Sequence, residues 1–600
     1  MVVVAFVLGA AILFHAREAR AFDWWPFGNK GIKYSVEIDG LDKKIVKKYE
    51  LEKLARQAID KDRSPKTVGQ LGVYGGLMAE RIRKAMESRG YYDATARASV
   101  ASVGDKGKKG KVSFDVVPGR RYKVQKSEIL WENDPIEVPG VEKFFLPPGS
   151  IAEAQKILDG AEEIKRETGK NRCFLSLDVT PRVVLNRAGG TAAVQYRAAH
   201  GASANFGDTH FDGDTAVSEE ILKKYVKWKK GECFTYEKVE ATQTALLQTQ
   251  LLASAKISYP DAPNEDGEAP MTVTVTDRPH RTVTAGATYG SDEGVGVSAG
   301  WEHRNLRGKA HKFTGKAVVS QLEYGVKGTY TVPFFLRDNQ KLNVTGSTTE
   351  ESTDTYNSAS ASALATIDRR LTKEFSVGGG TGWRSSRVDE AGDRTENFGF
   401  LYFPVYAEWD DRDDNLDPTE GIYGRGATSY YSDVTGKGIG FLKTEIEAQT
   451  YFTQEKWVWK PTLALRAAYG QINGASSESV PADLRFYAGG GGSVRGYDFR
   501  SIGPKDNGEP AGGTVWTEFS AETRLRFNDA VGGVAFVDAG NVYDEEFVKP
   551  TQELFFSAGV GGRYYSPIGP IRLDVGFPLD EINDGNNLKF GVYVSIGQAF

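Results

Sequence analysis

The chain has 600 residues, 26% of them charged, with a formal charge of −5, a mean hydropathy of −0.41 and two cysteines. That length exceeds one ordinary domain. The acidic balance offers no basic surface for nucleic acid, and no apolar run of about 18 residues follows the N-terminus, which excludes a helical membrane protein. Membrane β-barrels stay open as a class, because their strands alternate apolar and polar residues and average out as mildly polar; 11% aromatic residues, 27 Tyr and 68 Gly suit one.

Val2–Phe14 is an apolar run followed by Ala19-Arg20-Ala21, a cleavage-site pattern, so 1–21 is expected to be a signal peptide although no Lys or Arg precedes the run. As a membrane anchor the run is too short, since spanning needs about 20 residues.

From Gly31 to about Arg281 the chain cycles three times through strand, helix, strand, strand, which divides it into units at 31–119, 120–200 and 201–279. In the first unit Tyr34–Ile38 is strand-like and Ile45–Ile59 has helical spacing. Met78–Met86 reads as a second helix stopped by Gly90, with strands at Tyr91-Tyr92 and Lys111–Val117. In the second unit a helix at Ala152–Thr168 precedes strands at Cys173–Val179 and Ala192–Tyr196. In the third, Ser218 caps a helix with Glu219 and Glu220 in its first turn. A helix at Tyr236–Thr249 and strands at Leu252–Tyr259 and Met271–Thr276 follow. Cys173 and Cys233 can pair in an oxidising compartment and tie two units together, although spacing alone does not bring their Cβ atoms close. Neither has a His at ligand spacing, so no metal and no other cofactor is expected.

Arg89-Gly90-Tyr91-Tyr92 and Val116-Val117-Pro118-Gly119-Arg120-Arg121-Tyr122, with the threefold recurrence, resemble POTRA domains, the β-α-α-β-β modules of periplasmic transport proteins. Three generic α+β domains are the plainer alternative.

After Arg281 alternation replaces helical spacing. In the last segment Leu588, Phe590, Val592, Val594, Ile596 and Phe600 share one face, and Lys589, Gly591, Tyr593, Ser595 and Gly597 the other. Thr514–Phe527 sends Val515, Phe519, Ala521, Leu525 and Phe527 outward, and Trp516, Glu518, Glu522, Arg524 and Arg526 inward. Trp457–Gln471 sends Trp457, Trp459, Leu463, Leu465 and Tyr469 outward, and Lys460 and Arg466 inward. A soluble β-sandwich also alternates, but charges would then fill its core; a wet lumen accepts them. Sixteen segments are counted over 280–600, an antiparallel transmembrane barrel that closes without free edges. With the arm in the periplasm, connections after even strands face it; Asn305–Gly308 and Ser566–Pro570 are compact. The long connection 472–513 follows strand 11 and lies outside.

That connection carries Gly489–Gly492 and then Val494-Arg495-Gly496-Tyr497; two strands later comes Phe536-Val537-Asp538-Ala539-Gly540. Alternation puts Asp538 on the lumen face and Glu522 inward on the preceding strand. A loop Arg reaches them bidentately only if the loop folds down inside, and the glycines permit that re-entry. Arg495 is therefore expected to pair with Asp538, with Glu522 as second acceptor. A phosphate-cradling loop is rejected because no Lys-Ser/Thr and no helix follow.

Together with Asp411-Arg412-Asp413, Asp417-Pro418, Gly421, and Ser566–Pro570 leading to Arg572 and Asp574, these motifs resemble the outer-membrane assembly and secretion superfamily that includes BamA, TamA and the two-partner secretion transporters. The three units point to its TamA-like branch. The resemblance implies a bacterial outer-membrane location, outer-membrane protein clients including autotransporters, and an inner-membrane-anchored TamB-like partner. It also implies a seam between the first and last strands, loosened by Gly286, Gly290, Gly591 and Gly597. The alternative is a two-partner secretion pore for one exported protein. An enzyme is not expected: the six histidines have no G-x-S-x-G elbow beside them, and no catalytic residue is assigned.

Overall fold

The computed structural model describes residues 33–39, 65, 67–103 and 109–600, apart from 171, 292, 354, 391–393, 456, 458, 507, 546–552, 567–568, 581–589, 597 and 599. The expected signal peptide, the expected helix Ile45–Ile59, and Leu588, Lys589 and Gly597 of the last segment lie outside the described residues. Packing divides the chain into two units. One gathers Met1–Thr209, Trp228–Lys238 and Tyr259–Met271; the other gathers His210–Lys227, Val239–Ser258 and Thr272–Phe600.

In the first unit, strands β1 (Lys33–Asp39), β2 (Thr95–Val103) and β3 (Lys109–Val117) form a sheet in the order β1-β3-β2, with helix α1 (Val68–Glu87) in the same core. β1 runs parallel to β3 with Val36 opposite Val112 and Ile38 opposite Phe114, so that one face is apolar. The helix begins at Val68 and not at Met78. The Thr67 hydroxyl accepts from Gln70 N at 3.1 Å, and Leu71 and Gly75 extend the buried stripe through Met78, Ile82 and Met86.

The second sheet repeats the order, β4-β6-β5, from β4 (Lys123–Trp131), β5 (Leu177–Asn186) and β6 (Thr191–His200), with α2 (Ala154–Gly169). Between β4 and α2 only a four-residue 3₁₀ turn, Val141–Phe144, forms. The strand expected at Cys173 starts at Leu177, because Cys173 itself takes φ 56° and turns the chain. Cys173 is disulfide-bonded to Cys233, and the Tyr236 hydroxyl donates to Leu175 O at 3.1 Å beside it. The bond joins the start of the β5 hairpin to Trp228–Lys238.

The third sheet, β7-β9-β8, comprises β7 (Asn205–Asp212), β8 (Leu252–Ser258) and β9 (Glu268–Asp277), accompanied by α3 (Glu219–Lys223) and α4 (Tyr236–Gln248). Ser218 occupies the N-cap of α3, but its side chain makes no cap bond. Its backbone N–H instead donates to Gly308 O at 2.8 Å, while Asn305 Nδ2 donates to Ala216 O at 3.0 Å. Val217, Ile221, Leu222, Leu252 and Val273 are buried together, and Ala310 and Phe334 from two barrel turns pack against them. Within the second unit this part of the third repeat is thus seated on the barrel.

The barrel opens with β10 (Arg281–Gly290), β11 (Gly294–Leu306), β12 (His311–Val319), β13 (Glu323–Pro333), β14 (Gln340–Ser352) and β15 (Tyr356–Arg370). It continues with β16 (Phe375–Glu390), β17 (Arg394–Asp410), β18 (Gly421–Asp433), β19 (Gly440–Thr453) and β20 (Thr462–Asn473). A small hairpin, β21 (Lys505–Asp506) and β22 (Glu509–Pro510), lies in the long connection. The wall resumes with β23 (Val515–Arg526), β24 (Val531–Tyr543), β25 (Phe555–Ser566), β26 (Gly569–Pro578) and β27 (Gly591–Ile596). Sixteen strands close on themselves, each antiparallel to its neighbours. Alternation sets the wall chemistry: on β23, Phe519 is 48% exposed on the lipid face, whereas Glu522 is 0% exposed on the other.

Three local expectations are corrected. Trp457, Trp459 and Lys460 lie in the turn before β20, which is closed by Gln454 N–H to Pro461 O at 2.9 Å with Trp459 and Lys460 at positive φ. Val515 is fully buried, where β23 pairs with Gln471 and Tyr543, both also buried. Of the seam glycines, Gly290 pairs with Tyr593 across the seam, Gly286 pairs with Ser298 of β11 and Gly591 with Gly576 of β26 on their other edges, and Gly597 lies outside the described residues. Phe600 does not face lipid. Past Ile596 the chain turns inward, where Arg524 Nη2 donates to Phe600 O at 3.0 Å, and Gln598 bonds Asp417 at 2.7 Å and Arg563 at 2.8 Å.

Candidate functional site

The connection 474–514 is folded into the lumen. Its apolar residues Val480, Ala482, Leu484, Phe486, Ala488 and Val494 form one buried cluster with wall residues Tyr356, Val388, Phe398, Phe400, Phe441 and Val542. Strand alternation creates this arrangement: apolar residues placed inward near one end of β15–β19 would be stranded in water unless something covered them, and the loop covers them.

Arg495 sits at the centre, 2% exposed. Its Nε and Nη2 donate to the two oxygens of Asp538 on β24 at 2.7 and 2.8 Å, a bidentate pair, and its backbone N–H reaches Asp538 Oδ2 at 3.2 Å. Nη1 donates to Glu522 on β23 at 2.7 Å and to Asp574 on β26 at 3.0 Å. The guanidinium lies 3.5 Å over the Phe536 ring. Arg524 in turn bonds Glu522 at 2.9 Å, Arg563 bonds Asp574, and Ser520 donates to Asp538 at 2.5 Å, so each carboxylate has a second donor. Asp574 was not among the expected acceptors. It faces the lumen on β26, but which lumen carboxylates converge depends on strand tilt and register, which periodicity does not carry.

Val494, Gly496 and Tyr497 surround the clasp. Gly496 has φ +103°, and a Cβ there would lie 2.9 Å from Gly576 C and 3.0 Å from Phe577 N, so loop and wall backbones are in direct contact. Its N–H donates to the Tyr593 hydroxyl at 3.0 Å. The Tyr497 hydroxyl donates to Phe556 O at 2.8 Å. Val494 packs against Gly540, where a Cβ would meet Val494 Cγ2 at 2.9 Å. Other loop attachments had no sequence signal: Asp483 to Arg384 at 2.5 Å and Arg485 to Glu390 at 2.8 Å, both on β16.

The Asp411–Gly421 motif is a turn held by carboxylates. Asp413 Oδ1 accepts the N–H groups of Thr419 and Glu420 at 2.9 and 3.1 Å, and Asp414 Oδ1 accepts those of Leu416 and Asp417 at 2.7 and 2.9 Å.

Among the described residues the seam has the fewest pairs of any junction in the wall. β10 pairs with β11 over ten residues, but with β27 only at Tyr289–Val594 and Gly290–Tyr593 among the described residues. Ser291 N–H to Val592 O at 2.9 Å extends it slightly. Among the described residues the part of β10 before Tyr289 has no partner on its seam side; Gly597 and Ala599 lie outside the described residues. Among the described residues no group of three or more His, Cys, Asp or Glu is placed to hold a metal ion.

Residues 305–600 match the model of the Omp85 superfamily domain, and residues 204–278 match a POTRA model described as surface antigen variable number repeat. The chain is 26% identical to the outer membrane protein assembly factor BamA of Nitratidesulfovibrio vulgaris over 65% of its length, spanning 50% of that relative. It is 22% identical to BamA of Neisseria meningitidis serogroup B over 83% of its length, spanning 70% of that relative. The structure of BamA from Haemophilus ducreyi lacking POTRA domains 1–3 aligns with a TM-score of 0.66 at 17% identity, covering 79% of this chain and 100% of that one, which speaks to the fold alone.

Proposed function

We propose that the chain, whose residues 305–600 match the Omp85 superfamily domain behind a POTRA repeat at 204–278, is a member of that superfamily and inserts other β-barrel proteins into the membrane through its own seam. The barrel spans the bacterial outer membrane and the N-terminal repeats face the periplasm. The observation that carries the proposal is the contrast between axis and wall. The axis is filled by the chain's own loop, whereas among the described residues the wall is joined at the seam by two residue pairs against ten at the neighbouring hairpin. A client strand that adds to the open edge of β10 gains main-chain hydrogen bonds which that edge lacks, the general basis of strand addition. The action is mechanical, with no chemical step and no cofactor. The three repeats support the TamA-like branch of this reading, with autotransporters among the clients and a TamB-like protein on the arm.

The test is to lock the seam. A disulfide between Tyr289→Cys and Val594→Cys, opposite one another in the register, should reduce client insertion into proteoliposomes to background, and reduction should restore it. Undiminished insertion by the locked protein would refute the proposal.

A further inference from the structure

We propose that Arg500 is a second anchor of the lumen loop, completing a crossbar that sets how readily the seam opens; this rests on the sideways opening proposed above. Five residues after the Arg495 clasp, Arg500 Nη1 donates to the Tyr356 hydroxyl on β15 at 2.6 Å, and Nη2 lies 3.6 Å from Glu351 on β14. Tyr356 itself donates to Glu351 at 2.5 Å. The guanidinium stacks over Tyr487 and Phe499 at 5.0 and 4.9 Å from the ring centres.

The segment 495–500 thus links two stretches of wall. Its first end holds β26 through Asp574 and β27 through Tyr593. Its second end holds β14 and β15, which are joined to β10 through the continuous ladders of β11, β12 and β13. Moving β27 away from β10 lengthens the span between these ends, so one of them must let go.

The two ends are unequal. Arg495 is almost fully buried among three carboxylates, whereas the Arg500 side chain is 22% exposed and its closest partner is a neutral phenol. Arg500 also borders a cavity of about 340 Å³ that Tyr289, Gly290 and Tyr593 line at the seam. Water there can replace its bonds, which weakens them relative to the dry clasp. Arg500 is therefore the end that releases, while Arg495 and the attachments to β16 keep the loop inside. Arg500 is a positioning residue, acting through the loop on the seam.

Hydrogen exchange of the full chain in lipid nanodiscs reads the seam directly. In Arg500→Ala, and in Tyr356→Phe, amides at 289–291 and 591–594 should exchange roughly fivefold faster, the change expected from losing one hydrogen bond of ordinary net strength. Amides of β18 and β19 should keep their rates, and Arg500→Lys should return the seam most of the way to the parent. Unchanged seam exchange in Arg500→Ala overturns the proposal, and so does acceleration spread over the whole barrel. The locked-seam insertion assay is scored separately: if the locked protein still inserts clients, the functional reading fails whatever exchange shows, and if only the exchange result fails, Arg500 is not the release point.

Discussion

Replacing Arg495 by alanine should free the lumen loop and abolish client insertion, while the barrel wall still forms. The reasoning follows each carboxylate. Glu522 keeps Arg524 and Asp574 keeps Arg563, but Asp538, 1% exposed, is left with the Ser520 hydroxyl and no bridging cation among the described residues. Removing one member of a buried pair costs about 3–5 kcal/mol because the other charge stays behind. Adding Asp538→Asn to Arg495→Ala removes that stranded charge, so the double variant should recover part of the loss and show strong coupling between the sites. Protease digestion of the loop in intact outer membranes, together with the urea midpoint in lipid, measures both effects. A protected loop and an unshifted midpoint in Arg495→Ala would show that the clasp holds nothing.

Gly496→Val should match that loss with every charge intact. The residue has φ +103°, strained for any branched side chain at about 1–3 kcal/mol. Its Cβ would also press on the backbone of Gly576 and Phe577, and overpacking adds about 1–3 kcal/mol. Neither neighbour can retreat, since Gly576 is held in ladders to β25 and β27. From the other side, a Cβ on Gly576 would lie 2.8 Å from Arg495 C, so Gly576→Val should give the same phenotype. The same digestion assay decides: a valine variant whose loop resists protease as the parent does would contradict the close approach.

The barrel was legible because its determinants are local. A period of two residues marks each strand, and parity then orders the connections, so the count of sixteen and the antiparallel closure follow from sequence. The lumen side of Asp538 and Glu522 follows from that same period. What pattern does not contain is the convergence of distant strands: Asp574, Tyr593, Glu351 and Tyr356 meet the loop from two separate stretches of wall. The ends of periodic runs mislead for a related reason. Trp457 and Trp459 continue the alternation but sit in a turn whose backbone bonds exclude a strand, and Phe600 completes an apolar row yet is drawn inward by Arg524. In the helical repeats, the reach of α1 back to Val68 was hidden by its glycines, which score poorly for helix although Gly75 is part of the buried face.

The hydrocarbon cluster that the loop builds inside the wall has a consequence for the cell. A solute entering the barrel meets packed side chains at this cluster, where a porin offers water. Under the proposed function, the work of assembly is then not drawn from flow through the channel and comes from the folding of the arriving polypeptide itself.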